Sequence, residues 1–268
     1  MEEREVSCAV LYGFVFPLRH SESSVVKDFI GFEVEVVKMQ VKVDETIALL
    51  KQAENEYGSA LVFACSFGAE DVVMVDLISK HAPSIQIVTL DTGRLPQATY
   101  DVMDACREKY GLDIKVYFPD AAEVEAMVRE SGLNLFYKSV ENRKQCCAVR
   151  KIHSLKRALA GQKAWITGVR REQADSRLDM AAVEDDAHFG LKKFNPLIEW
   201  TESEVWDYIR SNDVPYNALH DQHYPSIGCE PCSRSITVGE DPRSGRWWWE
   251  REDAVAECGL HASPLKKP

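Results

Sequence analysis

ALVFACSFGAEDVVMVDLISK, residues 60–80, is the stretch that decides the fold. Its first six residues form a short apolar run of strand length. Ser66-Phe67-Gly68-Ala69-Glu70-Asp71 is a turn of mostly small residues. DVVMVDLISK, 71–80, then carries apolar side chains at three- and four-residue spacing. A strand, a tight turn and an amphipathic helix in that order make the opening half of a parallel βαβ crossover. Downstream the pattern repeats. IQIVTL (85–90), IKVYF (114–118) and AWITG (164–168) read as strands, and 96–110, 121–131 and 148–161 read as crossover helices. The expected fold is α/β, with a doubly wound, mostly parallel sheet. Thr201 with Glu204 forms a capping box that starts another helix over 202–211, and Pro215 marks the exit into irregular structure.

Residues 212–250 are rich in Gly and Pro and lack periodicity, so they predict a long loop wrapped onto the domain, which needs something to hold it. The expected organisation is an N-terminal extension over 1–41 outside the folded core, an α/β domain over 42–240 and a flexible C-terminal tail over 241–268. Met39 offers an alternative start, which N-terminal mass analysis of native protein tests. The net charge of −11 excludes general nucleic-acid binding, which takes a basic surface. The apolar run VLYGFVFPL (10–18) follows Glu2, Glu3 and Glu5, where a secretory signal would be basic, and is too short to span a bilayer. No membrane association and a cytoplasmic location are expected.

Eight cysteines are many for such a compartment, where structural disulfides are rare. Cys8, Cys65 and Cys106 stand alone and read as buried small hydrophobes. Cys146-Cys147 and Cys229-Glu230-Pro231-Cys232 form a quartet able to converge on one metal centre. Four thiolates suit tetrahedral zinc or an iron–sulfur cluster. Adjacent cysteines favour the larger body, because two neighbouring side chains reach one small ion with difficulty; a redox disulfide is the third alternative.

Two turns lie at the carboxyl edge of the sheet, 66–71 and Leu90-Asp91-Thr92-Gly93-Arg94, where open α/β sheets bind ligands and helix N-termini hold anions. Residues 143–177 carry ten Lys and Arg against two acids, a net +8 in an acidic chain. Arg170, Arg171 and Arg177 follow a strand end, where a polyanionic substrate would lie. In the tail, Glu257-Cys258-Gly259-Leu260-His261 sets a thiol beside a cation-forming ring, a setting that favours thiolate. The rings of Gly245-Arg246-Trp247-Trp248-Trp249-Glu250 would pack the tail onto the body, with Arg243 and Arg246 facing the anion site.

In order, Ser-Phe-Gly-Ala-Glu-Asp (66–71), Leu-Asp-Thr-Gly-Arg (90–94), Cys-Cys-x-x-Arg-Lys (146–151), Gly-x-Arg-Arg-x-Gln (168–173), Lys-Phe-Asn-Pro-Leu (193–197), Ile-Gly-Cys-Glu-Pro-Cys (227–232), Gly-Arg-Trp-Trp-Trp-Glu (245–250) and Glu-Cys-Gly-Leu-His (257–261) resemble the adenylylsulfate and phosphoadenylylsulfate reductase family. The resemblance covers 42–265 and implies an adenine nucleotide alpha hydrolase-like fold. It implies that Cys146, Cys147, Cys229 and Cys232 hold a [4Fe–4S] cluster, and that adenylylsulfate is preferred over its 3′-phosphorylated form, with a reductase using that form or both nucleotides as the alternative. It further implies that Cys258 attacks the sulfur of adenylylsulfate to leave an S-sulfocysteine, from which thioredoxin or a similar dithiol releases sulfite. Lys151, Arg177, Arg243, Arg246 and His261 would surround the phosphosulfate, and Ser66, Phe67, Gly68, Leu90 and Gly168 would contact the nucleotide. The cluster is expected to contribute structure and electrostatics rather than electrons, because the Cys258 chemistry requires no one-electron step. A nucleotide-hydrolysing adenylyl transferase would leave Cys258 without a role, and an iron–sulfur redox sensor would survive its replacement by Ser. The sequence leaves the oligomeric state open, a homo-oligomer included.

Overall fold

The structure, a computed structural model, describes residues 23–250. The chain divides into two compact units, 1–41 and 42–268. The first helix, α1 (Ser23–Tyr57), begins well before the point where the sequence pattern becomes legible. Within the second unit its last turns bury Leu50 and Ala53, and Thr46 accepts a hydrogen bond from the Trp200 indole at 3.1 Å.

The strands β1 (Leu61–Cys65), β2 (Gln86–Leu90), β3 (Ile114–Tyr117) and β4 (Ala164–Ile166) fall within the four runs read from the sequence. Helices α2 (Ala69–His81), α3 (Gln97–Tyr110) and α4 (Ala121–Ser131) alternate with them. Two further strands, β5 (Val183–Asp186) and β6 (Leu191–Phe194), complete a six-stranded sheet of order β3-β2-β1-β4-β6-β5. All neighbours pair in parallel except β5, which runs antiparallel to β6. The order reverses direction between β1 and β4, which makes their carboxyl ends the switch point of the sheet.

Parallel strands are covered on both faces, so β1 reads as continuous apolar sequence and its Leu61, Val62 and Phe63 are buried. Helix α2 buries nine of its thirteen residues, from Ala69 to Ile78, as a helix enclosed by neighbours does. On the other face Leu155, Ala158 and Leu159 of α6 (His153–Leu159) pack on Val62, Val88 and Trp165. Each fully buried side chain of this size contributes roughly 1.5–3 kcal/mol. The edge strand β5 is polar; Asp185 and Glu184 pair with Lys192 (2.6 Å) and Lys193 (2.9 Å) across to β6.

Helix α7 (Glu202–Ser211) starts at the capping box as expected: Thr201 Oγ1 accepts from Glu204 N, and Glu204 Oε2 accepts from Thr201 N. The helix read over 148–161 is longer and interrupted. Helix α5 (Val140–Cys147) leads into a π-helical segment, Ala148–Ile152, and then into α6. The widened turn follows the cysteine pair directly and carries Arg150 and Lys151, and such segments recur at functional sites. Residues 212–250 form the expected irregular wrap, with short 3₁₀ turns at Ala218–Gln222 and Glu230–Cys232. No helix of the described residues is long and apolar enough to cross a membrane.

Candidate active site

A cleft of about 240 Å³ opens at the β1/β4 switch point. Its floor is the turn after β1. Phe67 takes φ +58°, a conformation in which glycine is unstrained, yet its ring is buried. Asp71, in the first turn of α2, accepts from both the backbone N–H (2.5 Å) and the hydroxyl (2.6 Å) of Ser66, which closes the turn. Burial pushes the Asp71 carboxyl up to about 6 against the opposing pull of the Ser66 bonds. Gly168, after β4, lies so close that a Cβ there would stand 2.1 Å from Asp71 Oδ1, so a larger residue would displace the carboxyl that closes the turn.

The turn after β2 supports the opposite side. Gly93 N–H donates to Asp91 Oδ1 at 2.7 Å. Arg150, buried on the π-helical segment, donates to Thr92 O at 2.7 Å, and Glu230 N–H donates to Arg94 O at 2.8 Å. This turn therefore docks both the helix bearing Cys146-Cys147 and the loop bearing Cys229 and Cys232. The Thr92 hydroxyl lies 3.1 Å from Cys229 Sγ.

All four cysteines line one small cavity, about which Arg94, Arg143, Arg150 and Lys151 are arranged. Among the described residues no three His, Cys, Asp or Glu side chains close on a point fit for a single metal ion. The four thiols share this one cavity. Burial raises the Cys146 thiol and pushes that of Cys232 up to about 12. Cys229 and Lys151 line this cavity and the cleft alike.

The loop wall of the cleft is as tightly fitted as its floor. Arg246 donates from Nε to Cys232 O and from Nη1 to Ser226 Oγ, and its Nη2 lies 2.2 Å from where a Cβ on Gly228 would stand. Its guanidinium carbon is 4.8 Å from the Trp247 ring centre. Trp247 is buried, as the sequence led us to expect for this stretch.

Residues 60–235 match the family model of the phosphoadenosine phosphosulfate reductase domain. The chain belongs to this family. Curated relatives of this reductase family include the adenosine 5′-phosphosulfate reductase of Allochromatium vinosum, 52% identical over 80% of this chain and 83% of that one. That of Burkholderia cepacia is 46% identical over 85% and 90%. Among solved structures, the phosphoadenylyl-sulfate reductase of Candida auris in its phosphate complex superposes with TM-score 0.61 at 28% identity, covering 71% of this chain and 90% of that one. The FMN adenylyltransferase of Candida glabrata, at 12% identity and TM-score 0.54, shares the fold.

In this reductase-family chain, nine residues singled out from the sequence as substrate contacts line this cleft: Ser66, Phe67 and Gly68 on its floor, Leu90 and Gly168 at strand ends, and the cations Lys151, Arg177, Arg243 and Arg246. Cys258 and His261 lie outside the described residues. Two of the three arginines read as substrate-facing are not. Arg170 is buried against Glu70 (2.8 Å) and Glu172 (3.2 Å), and Arg171 turns to Glu199 and to the carbonyls of Leu178 and Met180. Consecutive residues after a strand point to different sides, and each arginine meets its own acid. Arg177 is buried and donates to the side-chain amide oxygen of Gln173. Sequence reasoning missed Asn217 and His220, which also line the cleft. They come from the 3₁₀ turn region of the long loop, where no periodicity marks them.

Proposed function

We propose that the protein is an adenylylsulfate reductase of sulfate assimilation, converting adenosine 5′-phosphosulfate to sulfite and AMP. The observation that carries this reading is the shared wall: Cys229 and Lys151 belong both to the four-cysteine cavity and to the cationic cleft at the sheet's switch point. Relatives at 46–52% identity bear the name of that reaction.

Cys146, Cys147, Cys229 and Cys232 fit a [4Fe–4S] cluster. Their donor set is all sulfur, their cavity is shared rather than focused on one point, and the cations about it suit an anionic thiolate-ligated body. When bound, the cluster would supply a rigid anchor for the loop and a fixed charge beside Lys151. No disulfide joins the six described cysteines, which suits a reducing, cytoplasmic compartment.

Ser66, Phe67, Gly68, Leu90 and Gly168 hold the nucleotide in this reading, and Lys151, Arg177, Arg243 and Arg246 receive the phosphosulfate, with His261 brought by the tail. The Cys258 thiolate attacks the sulfur of the substrate; an S–S bond forms, the S–O bond to the phosphate breaks, and AMP leaves with the electron pair. The cations stabilise the charge that develops on the departing phosphate. A thiolate of a thioredoxin-type dithiol then attacks Cys258 Sγ, and sulfite departs with the electron pair. The second thiol of the donor attacks the mixed disulfide, which frees Cys258 and oxidises the donor.

Purification without oxygen, iron analysis and mass spectrometry after mixing with adenylylsulfate alone test this. About four irons per chain, as cubane ligation requires, and a sulfonate adduct on Cys258 are expected. A colourless zinc protein without adduct would sink the reading. The Candida auris neighbour is named for the 3′-phosphorylated nucleotide, and relative turnover on the two nucleotides decides between them.

A further inference from the structure

The backbone at Gly228 does not itself require glycine, because its φ lies outside the left-handed region. What excludes a side chain there is Arg246. The three atoms nearest to a Cβ on Gly228 would all belong to the Arg246 guanidinium, with Cζ at 2.7 Å, Nη1 at 3.1 Å and Nη2 closer still. The loop fixes Gly228 in this place. Its N–H donates to Ser233 Oγ at 2.9 Å, that hydroxyl donates to Cys229 O at 3.1 Å, and Ser233 pairs with Arg246 in an antiparallel bridge.

The bare Gly228 Cα is therefore one side of a seat for the guanidinium. Cys232 O, which accepts from Nε at 3.1 Å, Ser226 Oγ, which accepts from Nη1 at 3.2 Å, and the Trp247 ring make the others. An arginine held in one place before its ligand arrives loses less freedom on binding, and it offers its planar fork at a fixed angle. Gly245, on the same loop, differs. A Cβ there would stand 2.5 Å from the Arg234 carbonyl oxygen, so the backbone itself would have to move. At Gly228 the atoms that must yield end a flexible side chain, so the fold absorbs a methyl group while Arg246 loses its place.

We propose that Gly228 is a positioning residue: by lacking a Cβ it lets the Arg246 guanidinium lie in the cleft, set to receive the phosphosulfate. The inference rests on the reading of Arg246 as a phosphosulfate contact. It gives Gly228, which lines the cleft beside Cys229, a role separate from holding the cysteine loop.

The test uses the full-length chain purified without oxygen, in a Cys258→Ser background so that adenylylsulfate is bound and not consumed. Gly228→Ala, Arg246→Ala and their combination are compared with that reference for iron content and, by calorimetric titration, for adenylylsulfate affinity. Iron is expected to be the same throughout. Each single variant is expected to bind about tenfold more weakly or worse, as the loss of a charge-assisted contact implies. The double variant is expected to match Arg246→Ala within about twofold, because both substitutions remove the same contact. A Gly228→Ala affinity within about twofold of the reference overturns the positioning role, and so do losses that multiply in the double variant. If Gly228→Ala loses iron, the double variant decides: iron restored once the guanidinium is gone supports the clash with Arg246, and iron still absent overturns the proposal. Arg246→Ala binding as well as the reference overturns instead the reading of Arg246 on which the inference rests. A reference protein that does not bind adenylylsulfate overturns the proposed function itself.

Discussion

One wall of the cleft is made by the ends of β1, β2 and β4, and the other by residues 226–250, which contribute no strand to the sheet and no α-helix. The first is held by parallel ladders and by side chains such as Phe63, Val73 and Leu77 that water does not reach. The second is held by a few specific contacts: Arg246 to Cys232 and Ser226, Arg143 to Glu250, and the thiol cavity. In the proposed reading the nucleotide contacts fall mainly on the sheet wall, whereas Cys258 follows the loop wall in sequence. Binding and chemistry therefore rest on different kinds of stabilisation and are separable by mutation.

The largest expected effect is Cys258→Ser. Turnover falls by about 10⁴-fold or more, as for other removed nucleophiles, while iron content and AMP affinity stay at wild-type values. Loss of AMP binding in this variant would break the division between the walls.

Removing the iron, by chelation or by Cys229→Ser, takes away the proposed anchor of the loop wall. Adenylylsulfate affinity is expected to fall at least tenfold, and the thermal midpoint to fall by roughly 10 °C, the equivalent of a few kcal/mol in a domain of this size. Far-UV circular dichroism should persist, since the sheet wall has its own core. Collapse of the dichroism signal instead would show that the walls fold as one.

Gly168→Ala attacks the sheet wall alone. The new Cβ meets Asp71 Oδ1 at 2.1 Å, so the Asp71 carboxyl must give up its Ser66 bonds or the backbone must shift, at about 1–3 kcal/mol. AMP affinity falls about tenfold with iron unchanged, measured by titration and iron analysis.

The smallest effect is a pH dependence. The Asp71 carboxyl is raised from an ordinary 3.8 to about 6 by burial. It is neutral below that value and adds a negative charge to the cleft above it. Affinity for adenylylsulfate in a Cys258→Ser background should therefore weaken a few-fold as pH rises from 5 to 7, and Asp71→Asn should remove that slope. For stability the sign is the same. The contribution of a group raised on folding is fully present below its unfolded value and lost as pH rises through about 6, so Asp71→Asn gains on wild type at pH 7 in thermal melts.

Much of the sheet wall was legible in advance because its signals are local. Strand-length apolar runs, the 66–71 and 90–94 turns and the Thr201–Glu204 box each lie within a few residues of chain. Strands β5 and β6 escaped because Glu184-Asp185 and Lys192-Lys193 look like surface loop until they pair with each other. The four cysteines could be grouped by their spacing, but their meeting in one cavity spans some eighty residues.

Charge count alone marked 143–177 as an anion-binding region, and there the tertiary structure made the distinctions. It spent Arg170 on Glu70, turned Arg171 to Glu199, buried Arg143 against Glu250 and kept Lys151 and Arg177 in the cleft. The sequence by itself determined the succession of strands and helices, the two turns at the sheet edge and the pairing of the cysteines, because periodicity and turn chemistry act over short stretches. Only the tertiary structure decided which cation faces which anion, that Phe67 and Trp247 hold left-handed backbones, and that Asn217 and His220 join the cleft. The decisive partners are far apart in the chain, 100 residues for Arg170 and Glu70 and 107 for Arg143 and Glu250, brought together when the core forms, and no local pattern encodes them.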